Sequence, residues 1–239
     1  MQREEGMTLD YARALAEALV DLLRPACQRI EIAGSIRRGK ARPNDIEIVA
    51  IPALAAFTRA TLFGGLQGGS TSDPVNLLNE KCDELLTTGA LEKRPDSQGR
   101  YCWGTGVKRA IFFQGKDYAP VDLFQVIEPA QWGVIYAIRT GPGDFNHLLV
   151  TNRRFGGACP LHRKVAGGRV WDLSQCTPAQ ARHYAGMVAT KFASLAESAV
   201  LPVSMVPTPE EEDFLAVLGV PCWLPEQRTE QRLMKFINK

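Results

Sequence analysis

At 239 residues the chain is long enough for one large domain or two smaller lobes. Hydrophobic residues make up 45% and charged residues 23%, the balance of an ordinary globular protein, and a net charge of +2 is too small to demand a polyanionic partner. No apolar run approaches the roughly 20 residues of a membrane span, and the N-terminus lacks the apolar core of a signal peptide. The expectation is an intracellular, cytoplasmic protein with no membrane partner.

In chain order, residues 8–24 carry apolar side chains at helical spacing, with Thr8 placed to cap the first turn and Pro25 to end it. A strand is predicted over 29–33, leading into Gly34, and another over 45–51. Residues 54–74, rich in Gly, Ser and Thr, read as a flexible loop, and 76–86 as a helix stopped near Gly89. Short β runs follow at 91–93, 109–113 and 120–126. Residues 131–138 are apolar and compatible with a helix, and 144–152 form another. The Gly167-Gly168 pair between 160–165 and 169–173 predicts a hairpin. Thr177-Pro178 opens a helix running to about Ser198, with Pro in the first turn. A last helix spans 211–218, stopped by Gly219. Strands and helices interleave early and a more irregular α/β lobe follows, so the fold class is α+β.

The most informative stretch is 34–47, Gly-Ser-Ile-Arg-Arg-Gly-Lys-Ala-Arg-Pro-Asn-Asp-Ile-Glu. A Gly-Ser turn able to hold a phosphate is followed by two arginines and then by Asp45 and Glu47, spaced i and i+2. On an extended strand those two carboxylates share a face. Ile46, Ile48 and Val49 around them favour a strand over a solvated acidic loop. Like charges on one face repel unless a cation joins them, and hard oxygen donors select Mg²⁺ or Mn²⁺. A third carboxylate, Asp122, stands in a β run among Val121, Leu123 and Phe124, where β propensity disfavours it. Two carboxylates from one strand and one from another suit two Mg²⁺ ions and nucleotidyl transfer. The competing explanation for Asp122 is a salt bridge to Lys108 or Arg109.

Other features carry less. The six cysteines lie far apart without a C-x-x-C, and the three histidines have no metal-binding spacing, so free thiols and no zinc site are expected. Residues 104–110, Gly-Thr-Gly-Val-Lys-Arg-Ala, match the core of a helix-hairpin-helix motif superficially, but strand formers flank them, and a loop between strands is preferred. From Phe145 to Trp171 there are five Lys/Arg (Arg153, Arg154, Arg163, Lys164, Arg169) and no acid, a patch suited to a phosphate backbone or to a solvated loop.

With these residues in place, the chain resembles the family X DNA polymerases. The match comprises Gly34-Ser35-x-x-Arg38-Gly39 followed by Asp45-x-Glu47; then Val121-Asp122-Leu123; then Trp132-Gly133 through Thr140-Gly141 to Phe145-Asn146; and finally Thr208 to Arg228, with Glu211-Glu212-Asp213-Phe214 and Leu218-Gly219-Val220-Pro221. The resemblance spans about residues 8–230. It implies a nucleotidyltransferase palm over 1–128, a mixed sheet with helices on one face, and a smaller α/β thumb-like nucleotide-binding subdomain over 129–239.

The resemblance also implies roles. Asp45 and Glu47 would bridge two Mg²⁺ ions (Mn²⁺ being an alternative), and Asp122 would hold one beside a primer 3′-hydroxyl. Gly34, Ser35 and Arg38 would contact the β- and γ-phosphates with help from the Asn44 backbone, Gly141 would lie against the sugar, and Asn146 would reach the base edge. Apart from the resemblance, the basic patch gives Arg153, Arg154, Arg163 and Lys164 as the residues expected to meet DNA. Departures are Glu47 where the family has Asp, Ile138-Arg139 in place of an aromatic pair, Gly143 in place of an Asp, Pro120 in place of an Arg, and an inserted helix within 174–206. With nothing before the palm, the expectation is a trimmed, monomeric DNA polymerase that adds dNMP from dNTP to a DNA 3′-end, by short gap filling in repair. Template-independent end addition, nucleotidylation of a small molecule or protein, and DNA-end binding without catalysis are the alternatives.

Overall fold

The computed structural model describes residues 7–55, 74–103, 108–113, 119–128, 130–190 and 203–239. Its first lobe is built on a five-stranded mixed sheet in the order β1-β2-β7-β6-β5. These strands are β1 (Cys27–Ile32), β2 (Ile46–Pro52), β5 (Leu91–Lys93), β6 (Lys108–Phe113) and β7 (Ala119–Gln125). β2 and β7 run parallel at the centre, and the other pairs are antiparallel. Both central strands are buried along nearly their whole length, as expected where two faces are covered.

Alternation along those strands sorts the residues. Ile46, Ile48 and Ala50 of β2 and Val121 and Leu123 of β7 face a core closed by α1 (Leu9–Leu23) and α3 (Leu77–Thr87), through Ala12, Ala16, Leu19, Leu78 and Cys82. Val49, Phe124 and Val126 face the other way, into a smaller cluster with Trp132 and Tyr136. Glu47 and Asp122 belong by parity to this second face. Thr8 caps α1 and Asn76 caps α3, each side chain accepting from a first-turn amide.

The second lobe has its own core, including Val134, Phe145, Leu149, Val170, Phe214, Leu218 and Leu233. Around it lie α4 (Trp132–Thr140), α5 (Gly143–Val150), α7 (Glu211–Val217), α8 (Glu230–Ile237) and a three-stranded sheet in the order β10-β9-β8. Those strands are β8 (Arg163–Ala166), β9 (Arg169–Asp172) and β10 (Ser204–Val206), and α6 (Pro178–Thr190) follows β9. The lobes meet at α4, whose Trp132 packs on the first sheet while Val134 and Ala137 enter the second core. Gly133 lets α7's leading segment approach: its amide donates to Thr208 O at 3.1 Å, and a Cβ there would collide with the Glu210 carbonyl.

Several expectations are corrected. The Gly34-Ser35 turn is a one-turn helix, α2 (Gly34–Arg37), and Asp45 precedes β2 rather than opening it. Most of the 54–74 loop and residues 104–107 of the hairpin-like motif lie outside the described residues, although Leu54–Ala55 (β3) and Val75–Asn76 (β4) pair as a short antiparallel ladder. Lys108 to Ala110 lie in β6 rather than in a loop, one residue more than the predicted 109–113 strand. The expected helix to Ser198 is described as far as Thr190, and the end of the predicted insertion returns as β10 on β9. Helix α8 was not foreseen; its signals are Thr229 as N-cap and the apolar spacing of Leu233, Phe236 and Ile237. The protein has six free cysteines, as expected.

Candidate active site

Glu47 and Asp122 are register partners on the two central parallel strands, so their side chains stand next to each other on one face. Asp45 lies one residue before β2 and is electrostatically coupled to both. Burial pushes Glu47 up to about 7, and the Asp45 and Asp122 charges push in the same direction. Asp45 is raised too, by burial first and by Asp122 next. Neighbouring negative charges that raise the proton affinity of Asp45 and Glu47 are what a shared cation relieves.

Part of that relief comes from the chain itself. The two oxygens of Asp122 are taken by Arg94 and by Lys108, the latter at 2.6 Å. The sequence pointed to Lys108 or Arg109; Arg109 instead donates to Asn79 Oδ1 at 3.0 Å. Arg94 is supplied by the sheet: its amide bonds Ala110 O at 2.9 Å, Ala110 pairs with Asp122, and Asp122 pairs with Glu47. On the opposite side Arg139 lies over the Phe124 ring, 3.8 Å from its centroid. Burial lowers its pKa while Glu47 and Asp122 oppose that, which puts it within their field.

Among the described residues no three His, Cys, Asp or Glu side chains stand close enough together to hold a metal ion. The donors themselves are of the right kind: three carboxylates, two of them with raised pKa, are hard oxygen ligands suited to Mg²⁺ or Mn²⁺. For Asp122 to join Asp45 and Glu47 around an ion, it would exchange its bonds to Arg94 and Lys108.

The one-turn α2 lies directly against these carboxylates. Gly34 has φ +63°, and a Cβ on it would collide with the Glu47 side chain. Ser35 Oγ is buried and has no hydrogen-bond partner among the described residues. Arg38 reaches the Thr140 carbonyl, and burial lowers its pKa against the pull of Glu47 and Asp45. Asn44 is exposed beside them.

Gly34→Ala is expected to cost about 2 kcal/mol or more, since the left-handed backbone alone costs an L-residue about 1–2 kcal/mol. Gly39→Ala, at φ +68° with open space around it, supplies the backbone cost alone. Chemical denaturation of the two variants separates them, and equal losses would remove the Glu47 contact from the account.

The α4–α5 junction carries the remaining expected residues. Asn146 Nδ2 donates to Ile138 O at 2.6 Å and Gly141 O at 2.7 Å, so its amide donors hold the turn, while its Oδ1 is buried and has no partner among the described residues. A Cβ on Gly141 would press on that Oδ1. In the basic segment Arg153 and Arg154 are exposed, Arg153 donating to Ala158 O at 3.2 Å. Arg163 is ion-paired with Asp172, and Lys164 is half-buried in β8.

Sequence reasoning missed the tie between the lobes. Glu211, 5% exposed, receives a two-pronged bond from Arg37 (2.8 Å each) and a third from Arg228 at 2.6 Å. Burial pushes Glu211 up, but the hydrogen bonds from Arg228 and Arg37 outweigh it and hold the carboxyl at about 2. Arg37 also donates to Thr140 Oγ1 at 2.6 Å and stacks on Tyr136. Nearby, Arg29 pairs with Glu210 at 2.7 Å, but that pair is half-exposed and worth no more than about 1 kcal/mol.

A mixed sheet with acidic neighbours on its central parallel strands, and a Gly-Ser helix set against them, defines the nucleotidyltransferase fold. Its form here is polymerase beta-like. The chain is similar to Leishmania infantum polymerase beta in a ternary P/T complex, with a TM-score of 0.56 and 19% identity over 95% of this chain and 77% of that one. At that identity the likeness is one of fold. No protein-family model matches the sequence, and no curated protein matches it. No described helix is long and apolar enough to cross a membrane.

Proposed function

We propose that the protein is a metal-dependent DNA nucleotidyltransferase that adds dNMP from dNTP to a DNA 3′-hydroxyl and releases pyrophosphate. The observation that carries this is the pairing of Glu47 with Asp122 on adjacent parallel strands, with the buried Ser35 hydroxyl, unpartnered among the described residues, on the helix against them. In the reaction the 3′-oxygen forms a bond to the α-phosphorus, the bond from that phosphorus to the β-phosphate bridge breaks, and the hydroxyl proton is lost. Asp45, Glu47 and Asp122 would hold two Mg²⁺ ions, which when bound supply a more acidic hydroxyl and neutralise the leaving group.

The other roles belong to this chain's own side chains. Ser35 and Arg38 hold the terminal phosphates, the Asn44 backbone assists, and Gly141 and Asn146 shape the sugar and base side. Short gap filling, as in DNA repair, is the preferred physiological form. Template-independent addition is the nearest variant, with Ile138-Arg139 where the family carries an aromatic pair.

Purified protein incubated with Mg²⁺, dNTPs and labelled gapped, primed or single-stranded DNA tests the proposal. Lengthening of gapped or primed DNA supports the first form, and lengthening of the single strand alone the second. No lengthening of any substrate would end the polymerase interpretation. The basic segment makes a separate prediction: Arg153→Ala with Arg154→Ala weakens DNA binding and flattens its salt dependence, each lost phosphate contact taking about 0.9 from the log–log slope. An unchanged slope would place that segment away from DNA.

A further inference from the structure

We infer that a groove beside the C-terminal helix α8 is a second contact for the phosphate backbone of DNA, outside the carboxylate cleft; this rests on the proposed DNA nucleotidyltransferase activity. The groove has a volume of about 580 Å³, and its walls include Trp223, Phe236, Thr229, Arg232, Lys235 and Lys239, with no Asp or Glu in its lining. None of these residues belongs to the carboxylate site.

Helical spacing explains the arrangement. Arg232, Lys235 and Phe236 follow one another at i, i+3 and i+4 on α8, and Lys239, two residues past its end, lines the same groove, so three cations and one aromatic ring border it. Like charges at such spacings repel rather than stabilise a helix. Among the described residues no carboxylate pairs with Arg232, Lys235 or Lys239 to relieve that repulsion. A polyanion laid along the groove would relieve it.

The apolar wall is fixed while the lysines are free to adapt. Trp223 meets the Phe236 ring edge-on at 5.7 Å and contacts Phe145 at 6.4 Å, which joins the groove floor to the second core. Arg232 lies over Trp223, 4.9 Å from the ring centroid. Lys235 and Lys239 are exposed. Cations that track phosphates beside aromatic rings that meet sugars or bases are how a nucleic-acid strand is gripped without sequence preference. The unforeseen helix thus has a use: it adds basic surface to a lobe whose Arg163 is spent on Asp172.

The test is a salt titration of binding to fluorescently labelled primed DNA, with wild type and with Lys235→Gln/Lys239→Gln in the full chain. The expected result is several-fold weaker binding and a log–log salt slope shallower by about 1.8, two phosphate contacts at 0.9 each. The melting temperature and the turnover rate at saturating DNA should stay at wild-type values, since both lysines are exposed and neither lies in the cleft. If wild type binds DNA and the double variant keeps its affinity and slope, the groove is overturned while the proposed activity stands. If wild type binds no DNA at any salt concentration, both are overturned.

Discussion

Asp45→Ala and Asp122→Ala are each expected to lower the proposed nucleotide addition by at least about a thousandfold, roughly 4 kcal/mol of barrier. Neither carboxylate has a neighbour that can replace it. Asp122 pairs across the strands with Glu47, and Asp45 is coupled to both. The two variants differ in their effect on the fold. Asp122→Ala strands Arg94 and Lys108, which are one-quarter and one-third exposed and so turn to water at modest cost. Asp45 receives no hydrogen bond among those described, and its loss removes a repulsion from Glu47. Melting curves near wild type combined with lost primer extension therefore point to chemistry. Mn²⁺ binding followed by electron paramagnetic resonance provides a readout apart from turnover: both variants bind the ion more weakly. Extension within about tenfold of wild type would remove the residue concerned from the mechanism.

How much of this was legible in the chain depends on the range of the interaction. β2 and β7 could be read because apolar residues at alternate positions with interrupting acids leave a local signature. That signature also put Asp45, Glu47 and Asp122 on the list of ligands. Arg94 left none. Its place beside Asp122 depends on the β5–β6–β7 ladder, in which its amide meets Ala110 and Ala110 faces Asp122. Register between strands so far apart in sequence is fixed by the whole sheet, not by any short run of residues. Glu211 was hidden differently. It lies in the run Glu210-Glu211-Glu212-Asp213, which reads as an acidic first turn favoured by the helix dipole. Asp213 does cap that turn, accepting from the Glu210 amide. Only the packing of α7 on α4 distinguishes the one buried acid from its solvated neighbours.

That buried acid gives the largest expected effect on stability. Glu211→Gln is expected to cost on the order of 3 kcal/mol, because it removes the charge facing two arginines, one of them, Arg228, only 2% exposed. For a chain of this size that is a fall of roughly 6–12 °C in melting temperature. The sign of the pH dependence follows from the depressed carboxyl, at about 2 in the folded state against an ordinary 4.5. Its stabilisation is complete above pH 4.5 and is lost as the pH falls from 4.5 toward 2. Wild type should therefore lose stability in that acid window through Glu211, and Glu211→Gln should lose correspondingly less. The arginines should rank in order. Arg228→Ala costs more than Arg37→Ala, since Arg37 is a quarter exposed and its carboxylate keeps Arg228, whereas Arg228→Ala opens a buried void beside the charge. Because Arg37 sits on α2 next to Arg38, the Arg37–Glu211 bond also fixes α2, proposed to hold the terminal phosphates, relative to α4 through Thr140. Glu211→Gln should then raise the KM for dNTP even well below its melting temperature. An acid profile identical to that of wild type, together with an unchanged KM, would remove the Arg37–Glu211–Arg228 cluster from the account of both acid stability and nucleotide binding.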